Sequence, residues 1–130
     1  MIPTPLVLAA AATSLHLAAS EFSVDLPLQD LGDQRSEVVM PRCAALMIIL
    51  DAVDRGSETT IRAAETFYYQ TIAQFPTDTE EQVDEAISGF MDAYAQGITA
   101  DDGADYWASV VQVDRAICVT YAGALQAQSE

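Results

Sequence analysis

Apolar residues recur at helical spacing through most of the chain beyond residue 40, and the breaks between them carry helix-ending and helix-starting residues. The first predicted helix begins at Pro41, a residue suited to the first helical position, and ends near Arg55 before Gly56. Ser57 can cap a second helix that runs to about Phe75, before Pro76. Thr77 with Glu80 reads as a capping box for a third helix, closed by Gly97. The fourth starts near Thr99 to Asp102, a weaker box of the same kind, and runs to about Ala127. Stretch 21–40 holds proline and aspartate without a clear period and reads as an irregular arm. The expected architecture is therefore all-α: an up-down-up-down four-helix bundle over 41–127, preceded by the arm, with residues 21–130 forming one domain.

The stripes assign the core. Helix 2 aligns Ile61, Ala64, Tyr68, Ile72 and Phe75. Helix 3 aligns Val83, Ile87, Phe90, Met91 and Tyr94, with Glu85, Ser88, Asp92 and Gln96 opposite. Helix 4 aligns Trp107, Val110, Val111, Ile117, Cys118, Tyr121 and Leu125. These are one-sided stripes of the kind that build bundles. Helix 1 differs. Cys43, Leu46, Met47, Leu50 and Val53 form one apolar face, while Ala44, Ala45, Ile48, Ile49 and Ala52 make the opposite side apolar too. A helix apolar all round is buried on several sides, so either the arm or another chain covers it. Ala45, Ile48, Ile49 and Ala52 are accordingly the candidate interaction face, for a second copy or another protein.

The segment before the arm changes the compartment. Leu6 to Ala19 is apolar apart from Thr13, Ser14 and His16, and Ala18-Ala19-Ser20 supplies the small residues that a signal peptidase reads. Residues 1–20 are expected to be a secretory signal, cleaved before Glu21, which directs a bacterial protein to the periplasm or beyond and leaves no stable membrane association. In that oxidising setting Cys43 and Cys118, the chain's two cysteines, are expected to pair. Aligning them antiparallel places Arg55 opposite Tyr106, and both are helix ends by the capping argument, so the bond joins helix 1 to helix 4. Closing so long a loop contributes about 4 kcal/mol in the chain-entropy model.

Composition then narrows the chemistry. Formal net charge is −15, and there is neither Lys nor Asn. Such a surface repels nucleic acid, and the missing Asn excludes an N-glycosylation acceptor. Once the signal is removed, His16 goes with it and no His remains. Histidine-dependent nucleophiles, Schiff-base lysines and His-ligated metals are thereby excluded. No catalytic residue, cofactor or metal ligand is assigned, and a non-enzymatic interaction module in the periplasm is the expected role. Thr99 to Asp105 lacks the alternating acidic ligands of a calcium loop and reads as an acidic helix start. Asp114 stands apart, because it falls inside the helix 4 stripe between Val111 and Cys118. A carboxylate there needs a partner, and Arg42, Arg55, Arg62 and nearby tyrosines are the available donors.

Being exported, helical and held by one disulfide, the chain resembles the small periplasmic acid-stress chaperones, from which it departs in its wider cysteine spacing and absence of Lys. That resemblance implies an acid-switched chaperone as an alternative role. A carboxylate-only hydrolase of glycan or cell-wall material is a second alternative, needing two carboxyls about 5 to 9.5 Å apart across a cleft.

Overall fold

A computed structural model describes residues 23–32, 35–53 and 58–128. Among them the fold is entirely helical, with four helices. A 3₁₀ turn at Leu28–Asp30 lies in the arm. Helix α1 spans Arg35–Val53, α2 Glu58–Gln74 and α3 Glu80–Thr99. Helix α4 opens as Gly103–Tyr106, widens into a π turn at Trp107–Val111 and continues as Gln112–Gln128. The expected signal, the Gly56 and Ser57 caps and the Arg55 helix end lie outside the described residues.

Helix α1 is the hub. It packs most extensively on α2, then on α3, and also touches α4 and the arm. This accounts for its apolar circumference: Cys43, Ala44, Ala45, Leu46 and Met47 are all sealed from solvent. The helix begins at Arg35, not at Pro41, so the irregular arm is shorter than expected. Val38 and Val39 are buried by that extension, and Glu37 sits in the first turn, where the helix dipole favours a carboxylate. Pro41 is consequently internal, and its missing N–H deprives the Glu37 carbonyl of the usual helical donor. At the far end, Val53 is exposed rather than part of the core.

Helix α2 is rotated by about one residue from the expected phase. Its buried positions are Ala63, Phe67 and Thr71, whereas Ile61 is exposed and Ala64, Tyr68 and Ile72 are half-buried. Thr71 is tolerated inside because its hydroxyl donates to the Phe67 carbonyl one turn back (2.7 Å). The capping box of α3 is formed by Thr79 and Gln82, two residues beyond the expected pair. A turn intervenes, in which the Asp78 amide bonds the Phe75 carbonyl. Gly97 does not close α3, which continues to Thr99. Instead Gly97 leaves room for the Tyr106 ring, whose nearest carbon would lie 2.5 Å from an added Cβ. Thr99 is not a cap either; its hydroxyl donates to the Ala95 carbonyl, and Asp102 precedes α4 without a side-chain cap bond.

Cys43 and Cys118 form a disulfide, with Cα atoms 5.5 Å apart. It fastens the central helix to α4 inside the core. Among the described residues no helix is long and apolar enough to cross a membrane.

Candidate functional site

The chemistry-bearing residues converge one turn from the disulfide. Asp114 enters from α4, Arg42 from α1 next to Cys43, and Tyr94 from α3; all three are buried. The preceding π turn helps to place Asp114. There the Gln112 amide reaches back five residues to the Trp107 carbonyl, and the extra residue rephases the helix before Asp114.

The carboxylate is fully engaged by its neighbours. Its Oδ2 accepts from Arg42 Nη2 at 2.5 Å and from the Tyr94 hydroxyl at 2.6 Å. Its Oδ1 accepts from the Leu28 amide at 2.7 Å. Arg42 Nη2 also donates to the Leu26 carbonyl (3.1 Å), its Nε donates to the Tyr94 oxygen (3.3 Å), and its guanidinium lies 5.6 Å from the Tyr94 ring centre. A buried ion pair is tolerable only when further hydrogen bonds satisfy the remaining sites, and these contacts do so.

The same surroundings set the titration of the donors. Burial holds the Tyr94 phenol well above its ordinary range, and the Asp114 carboxylate adds to this, against the opposing effect of Arg42. Arg42 loses hydration on burial, yet Tyr94 and Asp114 together raise it above the ordinary arginine value. Tyr94 therefore stays protonated and Arg42 charged at any physiological pH. With its charge paired and its surface sealed, the cluster presents no accessible acid or base to a substrate.

Tyr106 extends the network at the seam between α3, α4 and the arm. Its hydroxyl donates to the Val24 carbonyl at 2.7 Å, and burial raises its pKa. Beside it an open crevice of about 560 Å³ is lined by Asp25, Asp92 and Asp102 among others. Among the described residues no group of His, Cys, Asp and Glu is arranged to hold a metal ion.

The four candidate interface residues are divided by the fold. Ala45 is sealed within the chain and Ile49 is half-buried against the core. Ile48, at 36 % exposure, and Ala52 face solvent, beside Val53 at 67 %. Sequence reasoning placed Arg42 among several possible partners of Asp114 but did not single out Tyr94, which looked like plain core at its stripe position. It also missed the arm's backbone as the third element of the network. Backbone amides and carbonyls carry no residue-type signal, so only the apolar types of Val24 and Leu28, four positions apart, could have hinted at docking, and the structure buries both. No family model, curated protein or solved structure matches the chain.

Proposed function

We propose that this is an exported, non-enzymatic protein-interaction module of the periplasm or extracellular space, which meets its partner through the C-terminal end of α1. The observation carrying this reading is that the most enclosed helix of the fold surfaces at Ile48, Ala52 and Val53. Single exposed apolar residues are ordinary. Three within six residues, two of them one turn apart on one helix face, form a patch suited to contact with protein. The sealed state of the Arg42–Asp114–Tyr94 cluster supports a non-enzymatic role, and the disulfide is consistent with an oxidising compartment. Short connections between successive helices support an up-down-up-down order, with the first and fourth helices paired through Cys43 and Cys118.

Site-specific photo-crosslinking in the exporting cell tests the proposal. A photoreactive residue at Ala52 should give a discrete adduct, at twice the chain mass for a second copy or at another fixed mass for a different protein. An adduct yield no greater than that from the exposed polar position Glu85 would contradict it.

A further inference from the structure

Two fasteners tie α4 to α1, and they sit side by side. Arg42 and Cys43 are neighbours on α1, and Asp114 lies about one turn before Cys118 on α4. The ion pair and the disulfide therefore bridge the same seam at adjacent points. The seam has little else to hold it. Helix α1 packs more extensively on α2 and on α3 than on α4, and the later part of α4, Gln112–Gln128, divides its contacts among α1, α2 and the arm. Helices α1 to α3 also supply most of the buried apolar residues, whereas α4 supplies Val110, Val111, Cys118 and Ala122. Helix α4 is thus a lightly packed layer on a three-helix unit.

Neither cysteine has any exposed surface. Cleaving a disulfide requires a thiolate to reach one of its sulfurs, so a reductant meets this bond only when the seam opens. Parting α4 from α1 at Cys118 also parts Asp114 from Arg42 and from the Tyr94 hydroxyl. While the cluster is complete, the closed seam leaves no charge stranded. Without the Asp114 charge, the closed seam encloses a bare guanidinium, and opening relieves it by returning Arg42 to water.

We infer that the Arg42–Asp114–Tyr94 cluster guards the disulfide, and that the two together form a redox latch between α4 and the three-helix unit. The cluster sets how often the seam opens, and so how readily a thiol reduces the bond, while α1 to α3 stay folded. Reduction by a dithiol follows the ordinary exchange chemistry. One reagent thiolate attacks one cysteine sulfur, the S–S bond breaks, and the freed cysteine takes up a proton. The second reagent thiolate then displaces the other cysteine, which is also protonated. The reagent gives up two electrons and leaves as a cyclic disulfide. With the cluster intact the bond persists in thiol-containing surroundings. This role is separate from the contact surface at Ile48 and Ala52, so either can fail its test while the other passes.

The test is the rate at which dithiothreitol reduces the full oxidised chain under native conditions, at reagent concentrations where rate is proportional to reagent, with the new thiols trapped over time. Asp114→Asn should be reduced at least about tenfold faster than the unaltered protein. Tyr94→Phe, which removes one donor to Asp114 and keeps the ion pair, should be reduced several-fold faster. Val83→Ala weakens the core from α3 and should stay within about threefold of the unaltered rate, because α4 opens without unpacking Val83. An unchanged rate for Asp114→Asn overturns the inference. So does a Val83→Ala acceleration as large as that of Asp114→Asn, which would mean that only whole-fold opening reaches the bond. Should Asp114→Asn not fold, the urea dependence of reduction in the unaltered protein decides. A slope well below that of equilibrium unfolding supports the latch, and an equal slope overturns it.

Discussion

Replacing Asp114 by Asn removes one charge from the core while keeping the size and shape of the side chain. Arg42, only 1 % exposed, then keeps its charge without a counter-ion. The new amide oxygen can still accept from Leu28 or from Arg42, but its NH₂ group would then face the guanidinium and phenol donors in the first case or the Leu28 amide in the second, where the carboxylate accepted three bonds. Breaking one side of a buried ion pair costs about 3–5 kcal/mol. Whole-domain stability is typically about 5–15 kcal/mol, so Asp114→Asn should remove a large share of it. For a domain of this size the melting temperature should fall by at least about 12 °C. Urea denaturation followed by circular dichroism measures the loss directly. Arg42→Met should cost a similar amount, and the double variant Arg42→Met with Asp114→Leu should cost less than the sum of the single changes by about 1–3 kcal/mol, because neither charge is then stranded. A loss below about 1 kcal/mol for Asp114→Asn would refute the reasoning, since such a value belongs to solvent-exposed pairs.

The disulfide, the glycines and the tyrosines give further expectations. Thiol labelling of the unreduced protein should find no free cysteine, and reduction should lower stability by about 4 kcal/mol in the chain-entropy model; two labelled thiols would contradict the Cys43–Cys118 bond. Gly97→Ala should destabilise by about 1–3 kcal/mol, because the new methyl must displace the Tyr106 ring from its bond to Val24. Gly123→Ala, exposed on α4 with no atom within 4 Å of an added Cβ, should stabilise by about 0.5–1 kcal/mol, and thermal melts of the two variants should therefore shift in opposite directions. Tyr94 and Tyr106 hold raised pKa values in the folded chain, chiefly through burial, and Tyr68 is pushed up to about 12, first by its hydrogen bond to Asp84. Above a pH of about 10 the unfolded chain gives up these protons while the folded chain keeps them, so the unfolded state is favoured. Their contribution is fully present below that pH and is lost as pH rises towards the folded values. Denaturation midpoints should fall across this alkaline range, and a flat midpoint up to pH 12 would contradict the burial of Tyr94.

The fold class was legible because apolar spacing in α3 and α4 is one-sided: Val83, Ile87, Phe90 and Tyr94 point inward, while Glu85, Ser88, Asp92 and Gln96 face solvent. The inward position of Asp114 followed from the same spacing. Helix α2 was ambiguous because two adjacent phases both carry aromatic residues, Phe67 in one and Tyr68 in the other. Packing against α1 selected the face on which small Ala63 and self-bonded Thr71 flank Phe67. The early start of α1 was hidden by Pro41, whose usual place is the first turn, and the π turn has no distinguishing residue type. The arm escaped detection for a different reason. Its placement depends on three side chain–backbone bonds between distant parts of the chain, which leave no local periodicity.

Amide hydrogen exchange at Leu28, followed by NMR, tests the central claim that the Arg42–Asp114–Tyr94 cluster clamps the arm. The Leu28 amide is sealed and bonded to Asp114, so it should exchange far more slowly than a free peptide, and Asp114→Asn should accelerate its exchange more than that of the Val83 amide in α3. Exchange of Leu28 at the free-peptide rate in the unaltered protein would contradict the clamp.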